Sequence, residues 1–346
     1  LVDGQRRYRG LKILLATGAR TNVPAIEGLE EIGYHTNRTL FELEELPQRM
    51  TVMGAGYIGL EIAQAFSRLG SRVRIIEFTD RVLRREQPDV SAAVQAQLEA
   101  EGIEVLPNFR AFLFEKKDGR TRIHCKCPDG STTVLEEPGI VVVATGIRPN
   151  TEGLGAERVG LQLDARGHIV VDAHMRTNVP NVFAAGDVAS TPAYVYTAAY
   201  EGKVAVENAF TSAGTTVDYS ALPWVVFTDP QVAGAGMDEA QAEAAGMPWE
   251  VSKLPLTEVP RAIAANDTRG FIKLIRNPET DLLLGARIVA PEGGELVQML
   301  SMAIRHRIPV SELATSLYPY LTLSEGIKLA AITFGKDVRK LSCCAS

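Results

Sequence analysis

Two hydrophobic patterns alternate along the chain. Short unbroken apolar runs ending in glycine turns read as strands of a parallel sheet, and longer segments with apolar residues at helical spacing read as helices packed on it. Residues 11–18, LKILLATG, predict a strand closed by Thr17 and Gly18, and residues 140–146, IVVVATG, repeat it with Thr145 and Gly146. A strand ending in Ala-Thr-Gly lets a cofactor approach the backbone closely, so the echo suggests two related nucleotide-binding units. Between them, residues 50–54 predict a strand, 60–69 a helix closed by Gly70, and 72–77 a second strand. A helix over 90–101 and a strand over 103–105 follow, and then residues 110–136 alternate around Asp118-Gly119 and Asp129-Gly130 as a β-meander. Residues 181–187, NVFAAGD, predict another strand, with a helix over 194–210 after it. Beyond Asp218 come strands (224–227, 271–275, 282–289) and then helices (293–306, 324–334), the order of a separate α+β domain.

The glycines at 54–59, Gly54-Ala55-Gly56-Tyr57-Ile58-Gly59, lie between a strand and a helix, and Glu77 ends the next strand 18 residues after Gly59. This is the order of a dinucleotide-binding fingerprint. Gly54 and Gly56 allow a tight turn and close approach of a pyrophosphate, which rests on the positive end of the helix, and Gly59 lets the helix pack on its strand. Glu77 stands where an acid bonds the 2′-hydroxyl of NAD and repels the 2′-phosphate of NADP, which favours NADH. Arg81, Arg84 and Arg85 follow, as phosphate ligands for NADPH or as a solvated face.

Composition narrows the function classes. The 346 residues predict two to three domains, and 46% hydrophobic with 23% charged residues is globular usage. With 36 basic against 42 acidic residues and no Lys/Arg run, nucleic acid is not an expected partner. No apolar stretch approaches the roughly 20 residues of a membrane span, and the first ten residues lack a signal-like core, so no membrane association and a cytoplasmic location are expected. Four cysteines are too few for a disulfide scaffold at this length. Cys125 and Cys127 share a strand face near His124, but too few further ligands follow, so they read as structural. Leu1 is not an initiator Met and a strand begins within ten residues, so the chain is expected to start partway through a domain.

The two ATG turns, the GAGYIGLE fingerprint and NVFAAGD, in this order, resemble the flavin-dependent pyridine nucleotide-disulfide oxidoreductases over essentially the whole chain. The resemblance implies an α/β fold of two Rossmann-like nucleotide-binding domains, the FAD domain partial, plus a C-terminal α+β dimerisation domain. The implied spans are 1–35 with 147–216 for FAD, 36–146 for NAD(P), and 217–346 for dimerisation and a metal-binding tail. It places Thr17, Gly18, Gly146, Asp187 and Val195 at FAD, and Gly54, Gly56, Tyr57, Gly59, Glu61, Glu77 and Arg81 at NADH or NADPH, with Tyr57 gating the nicotinamide. The family's first FAD glycine motif and its Cys-x-x-x-x-Cys precede the first ATG and are absent from this sequence, so the redox dithiol is expected upstream.

Where most members carry His-Pro-Thr-x-x-Glu, this chain reads Tyr320-Leu321-Thr322-Leu323-Ser324-Glu325. A Tyr there removes the acid–base partner for opening organic disulfides, and Thr322 with Glu325 reads instead as a helix capping box. The segment and the terminal Cys343-Cys344 resemble the Hg(II)-reducing branch. That implies a homodimer in which Tyr320, Cys343 and Cys344 act catalytically and as metal ligands across the subunit boundary, delivering a Hg(II)-thiolate substrate. Two other readings stand beside it: a non-catalytic thiol metal-binding remnant, and a dihydrolipoamide dehydrogenase or thioredoxin reductase type of enzyme.

Overall fold

The computed structural model describes residues 9–336. The chain divides into two compact units, one comprising the chain up to Val23 with Gly146–Tyr219, the other Pro24–Thr145 with the chain from Ser220 onward. The first unit opens with β1 (Ile13–Leu15) and β2 (Ala19–Thr21). The second begins with a one-turn helix, α1 (Leu29–Ile32), and continues through β3 (Arg49–Met53), α2 (Tyr57–Leu69), β4 (Arg72–Ile76), α3 (Pro88–Ala100) and β5 (Glu104–Leu106). A three-stranded antiparallel meander follows, β6 (Arg110–Lys117), β7 (Arg120–Lys126) and β8 (Thr132–Glu137), then β9 (Ile140–Val143). Strands β3, β4, β5 and β9 make one parallel sheet in the order β5-β4-β3-β9. Its strand β3 is covered on both faces: Met50 and Val52 on one face and Thr51 and Met53 on the other are buried, as are Leu60 and Ala63 of α2. Burial of this kind contributes about 1.5–3 kcal/mol per large aliphatic side chain. Gly70, at φ 114°, ends α2 in the left-handed conformation that glycine adopts without strain.

The chain re-enters the first unit with β10 (Ile147–Pro149), β11 (Val182–Ala184) and α4 (Val195–Phe210). β1 pairs with β11 in parallel, and β2 pairs antiparallel with β10. This second pairing was not expected: the segments after the two ATG turns lie side by side, and Asn22 N–H donates to the Gly146 carbonyl at 2.9 Å.

The C-terminal part of the second unit contains β12 (Trp224–Val226), β13 (Gln231–Gly236), α5 (Glu239–Ala244), β14 (Glu250–Pro255), α6 (Pro260–Ala264), β15 (Phe271–Arg276), β16 (Leu283–Ala290), α7 (Gly293–Arg305), α8 (Val310–Thr315) and α9 (Glu325–Ile332). Its five-stranded antiparallel sheet runs β12-β13-β16-β15-β14. Ile272, Leu274, Ala286 and Ile288 of the sheet share a core with Leu296, Leu300 and Ala303 of α7 and Ile327 and Ala330 of α9. The fold is therefore the expected α/β architecture with a separate C-terminal α+β domain. Strands β13 and β14 were not foreseen, because Gln231–Gly236 is rich in Ala and Gly and Glu250–Pro255 ends in proline, so neither carries a strong strand signature.

Buried charges tie the nucleotide-fold part of this unit to its C-terminal part. Arg287, 3% exposed at its side chain, donates from Nε to Glu86 Oε2 at 2.9 Å. Lys273, 1% exposed, is held by Asp89 at 3.0 Å and Glu239 at 2.7 Å. Burial pushes the Glu86 carboxyl above its ordinary range, against the opposing pull of Arg287. For Asp89 burial raises the value too, but hydrogen bonds from Lys253 and Lys273 prevail and hold the carboxyl below the ordinary range.

Candidate functional site

The turn between β3 and α2 uses its three glycines for three different physical reasons. Gly54 has φ 103°, and a Cβ there would lie 2.5 Å from the Ala144 carbonyl oxygen, so both conformation and space demand glycine. A Cβ on Gly59 would sit 2.0 Å from the Gly54 carbonyl oxygen, which fixes how closely α2 approaches its own strand. Gly56 is exposed, has ordinary extended backbone, and would meet nothing within 4 Å. Its lack of a side chain leaves the space in front of the α2 N-terminus open, where a pyrophosphate can approach backbone N–H groups. The helix starts at Tyr57 rather than Leu60, because Gly56 itself caps it and its carbonyl receives the Leu60 N–H at 3.0 Å.

Glu77 lies just past the end of β4 and is 6% exposed. Its Oε2 accepts the Ala55 N–H at 2.7 Å, while Oε1 accepts the Thr79 N–H at 2.7 Å and the Thr79 hydroxyl at 2.8 Å. A carboxylate has about four lone-pair sites, so three protein donors leave one, on Oε2, for a ligand hydroxyl. Arg81 turns back into its own loop, pairing with Asp80 at 3.0 Å and donating to the carbonyls of Arg84 and Glu86. Arg84 also pairs with Asp80, at 2.9 Å.

Tyr57, the first residue of α2, stacks on Trp224 at 5.7 Å between ring centroids, 17° from parallel, and its hydroxyl donates to Glu86 Oε1 at 3.4 Å. The Arg287 guanidinium lies over the same Trp224 ring at 5.5 Å, so Tyr57, Trp224, Arg287 and Glu86 close a ring of contacts. Trp224 fits because Gly234 lies opposite it on β13; a Cβ there would come within 2.5 Å of the indole. Glu61 accepts the Phe227 N–H at 2.8 Å, and burial pushes its carboxyl up. Trp224, Glu86 and Arg287 were missed in the sequence because 201 residues separate the ion-pair partners and no local pattern marks them.

In the first unit the turn after β1 is held by Asn150, whose side-chain amide donates to the Thr17 carbonyl at 2.9 Å while Thr17 Oγ1 donates to the Asn150 carbonyl at 2.8 Å. Gly18, at φ 66°, and Gly146, at φ 104°, would each meet nothing within 4 Å if they carried a Cβ. At the end of β11, Gly186 takes φ 74° and its N–H is held by Glu201 Oε2 at 2.7 Å. Glu201 is fully buried on α4 and also accepts the Tyr219 hydroxyl at 2.7 Å; burial and this bond raise the Tyr219 pKa. It went unnoticed in the sequence, where an acid on α4 looks like solvated surface. Asp187 is only partly buried, its carboxylate bonds to no described residue, and Val195 at the start of α4 is 89% exposed. Open space at the glycines, an unengaged carboxylate and an uncovered helix start fit a bound FAD, with Thr17, Gly18, Asp187 and Val195 as the residues that could hold it.

Residues 2–202 match the family profile described as pyridine nucleotide-disulphide oxidoreductase, and residues 222–331 match the dimerisation domain of the same family. The chain belongs to the pyridine nucleotide-disulphide oxidoreductases. It is 42% identical over 332 residues to the mercuric reductase of Streptomyces lividans, covering 96% of this chain and 69% of that protein. To the mercuric reductase of Acidithiobacillus ferrooxidans it is 43% identical over 342 residues, covering 99% of this chain and 61% of that one. Among solved structures it is similar to the HOCl-induced flavoprotein disulfide reductase RclA of Escherichia coli, at TM-score 0.86 and 29% identity over 94% of this chain and 74% of that one. It is also similar to LpdA of Mycobacterium tuberculosis, at TM-score 0.83 and 29% identity over 94% of this chain and 70% of that one.

As a pyridine nucleotide-disulphide oxidoreductase it departs from the family's pattern near the C-terminus. Tyr320 is 59% exposed. The expected capping box is only half made: Thr322 Oγ1 accepts the Glu325 N–H at 3.3 Å, but Ser324 is the N-cap residue and Glu325 returns no bond. Glu325 Oε2 is buried without a partner among the described residues. Cys343 and Cys344 lie outside the described residues. Cys125 is fully buried and Cys127 partly so; burial, then the neighbouring Cys127, pushes the Cys125 thiol up to about 11, which keeps it protonated and unreactive. Among the described residues, no group of three or more His, Cys, Asp or Glu could hold a metal ion, and no helix is long and apolar enough to cross a membrane.

Proposed function

We propose that this chain is part of a cytoplasmic, homodimeric enzyme that reduces Hg(II) to Hg(0) with NADH. The overall step balances as NADH + Hg(II) giving NAD+, H+ and Hg(0). The observation that carries the reading is the C-terminal site: Tyr320 is exposed and Glu325 Oε2 has no partner among the described residues, so Tyr320 and Glu325 do not make the pairing that would serve proton transfer to an organic disulfide. Handing a two-coordinate metal from one thiolate pair to another needs no strong acid or base, and Cys343-Cys344 supplies a vicinal pair for it. Identity of 37–43% to several mercuric reductases supports the same substrate.

In this reading the open face at Gly56 and the α2 N-terminus take the pyrophosphate of the nucleotide, Gly54 and Gly59 shape that turn, and Glu77 takes a ribose hydroxyl on its remaining lone pair. Glu61 lies one helical turn beyond Tyr57, which covers the nicotinamide position until the nucleotide enters. Thr17, Gly18, Asp187 and Val195 would hold FAD, which would supply two-electron transfer between the reduced nicotinamide and Hg(II) bound by thiolates. The chain spans 53–69% of the mercuric reductases it matches, and the dithiol belongs to the whole protein.

The test is Hg(II)-dependent NADH oxidation by the full-length dimer, with Hg(II) presented as a complex of a bulky dithiol. Replacing Cys343 and Cys344 by Ala should lower the rate at least tenfold. Unchanged turnover in that variant, or faster turnover with lipoamide or oxidised thioredoxin than with Hg(II), overturns the proposal.

A further inference from the structure

The loop that follows β4 contains an arrangement that the nucleotide fingerprint does not require. In this fold an acid at the end of the second strand selects NAD, and arginines just beyond it accommodate the 2′-phosphate of NADP. Both are present here, as Glu77 and as Arg81 and Arg84. Arg81 and Arg84 are committed elsewhere, whereas Arg85 is exposed. Asp80 Oδ2 pairs with Arg81 at 3.0 Å and Asp80 Oδ1 with Arg84 at 2.9 Å, so one carboxylate spans both guanidiniums. Arg81 is further anchored by the Arg84 and Glu86 carbonyls, at 3.4 and 3.3 Å. Thr79, between the two acids, fixes Glu77 with its N–H and its hydroxyl.

We propose that Asp80 is a specificity-determining residue of the nucleotide site, keeping it selective for the unphosphorylated dinucleotide by neutralising Arg81 and Arg84. The inference rests on the reading of the glycine turn at 54–59 as the nicotinamide nucleotide site. It assigns selection to two acids with separate tasks: Glu77 accepts the ribose hydroxyl, and Asp80 withholds the counter-charge a 2′-phosphate would need. The Asp80 pairs are exposed, at 54% of the side chain, and such pairs contribute little to stability. Their charge still acts on a dianion nearby, and removing one unit of it changes affinity by up to about tenfold in water-like surroundings.

The experiment measures binding of ADP-ribose and of 2′-phospho-ADP-ribose to the full-length protein by titration calorimetry, which requires no turnover. In the parent protein ADP-ribose should bind more tightly. Asp80→Asn should shift the affinity ratio five- to tenfold toward the 2′-phosphorylated probe. Adding Arg84→Gln should reverse most of that shift, and raising the salt from 0.05 to 0.5 M should shrink it. Asp118→Asn removes the same charge from a distant hairpin turn and should leave the ratio unchanged. A ratio unmoved by Asp80→Asn, or moved equally by Asp118→Asn, overturns the role of Asp80 while leaving the nucleotide site intact. Failure of both probes to bind overturns the nucleotide-site reading itself.

Discussion

The glycine turns after β3 and after β1 differ in sequence, GAGYIG against ATG, and they differ in construction as well. After β3 the turn is closed by the protein: Cβ atoms on Gly54 and Gly59 would lie 2.5 and 2.0 Å from main-chain oxygens. After β1 it is open, with nothing within 4 Å of a Cβ on Gly18, as is also the case at Gly146 after β9. The turn after β3 is thus shaped by its own packing, while the turn after β1 leaves its shape to backbone conformation and to what binds there. Glycine is needed for space at Gly54 and Gly59, with a positive φ at Gly54 as well, and for a positive φ alone at Gly18.

The largest expected effect tests how far the closed turn depends on the buried ions behind it. Arg287→Met strands the buried Glu86 carboxylate, and urea unfolding should show the second unit destabilised by about 3–5 kcal/mol. A change below about 1 kcal/mol would mean that Glu86 simply takes up a proton and that the ring of contacts around Tyr57 does not need its ion pair. Next comes the direct comparison of turns. Gly59→Ala should cost about 3 kcal/mol by overpacking, while Gly18→Ala should cost about 1–2 kcal/mol through its left-handed backbone and act mainly by weakening FAD retention, read from flavin absorbance after gel filtration. Equal losses in the two variants would erase the distinction. The smallest effect is in acid. Because the folded-state pKa of Asp89 is lowered, its contribution is present above the ordinary value of 3.8 and is lost as the pH falls through the depressed one. Asp89→Asn should therefore flatten the pH dependence of unfolding below about pH 4, and an unchanged slope would show that Lys253 and Lys273 do not hold the carboxyl.

Much of this fold was legible because local chemistry determined it. The helix of 57–69 with its glycine stop, the Asp-Gly turns of the meander and the order strand, glycine turn, helix, strand all follow from neighbours a few residues apart. Within the candidate site, the glycines and Glu77 were visible for the same reason. The rest depends on distance along the chain. Lys273 meets Asp89 across 184 residues, and β2 meets β10 only once two turns have formed. Thr322 and Glu325 matched a capping box letter for letter, yet Ser324 took the cap, because the chain enters α9 already in helical conformation at Ser324. Short polar motifs specify which bonds are available; the approach direction of the backbone decides which are made.

The Trp224–Gly234 pair has a further consequence, in optics. The chain has two tryptophans, and they sit in contrasting surroundings: Trp224 is 8% exposed, stacked on Tyr57 and overlain by a guanidinium, while Trp249 is 40% exposed. Trp224 therefore emits at the blue side of the protein's fluorescence, and reduced nicotinamide absorbs in that range. If the proposed nicotinamide site at Tyr57 is right, the indole is a built-in antenna, and its emission should dim when the reduced coenzyme is added and return when it is oxidised.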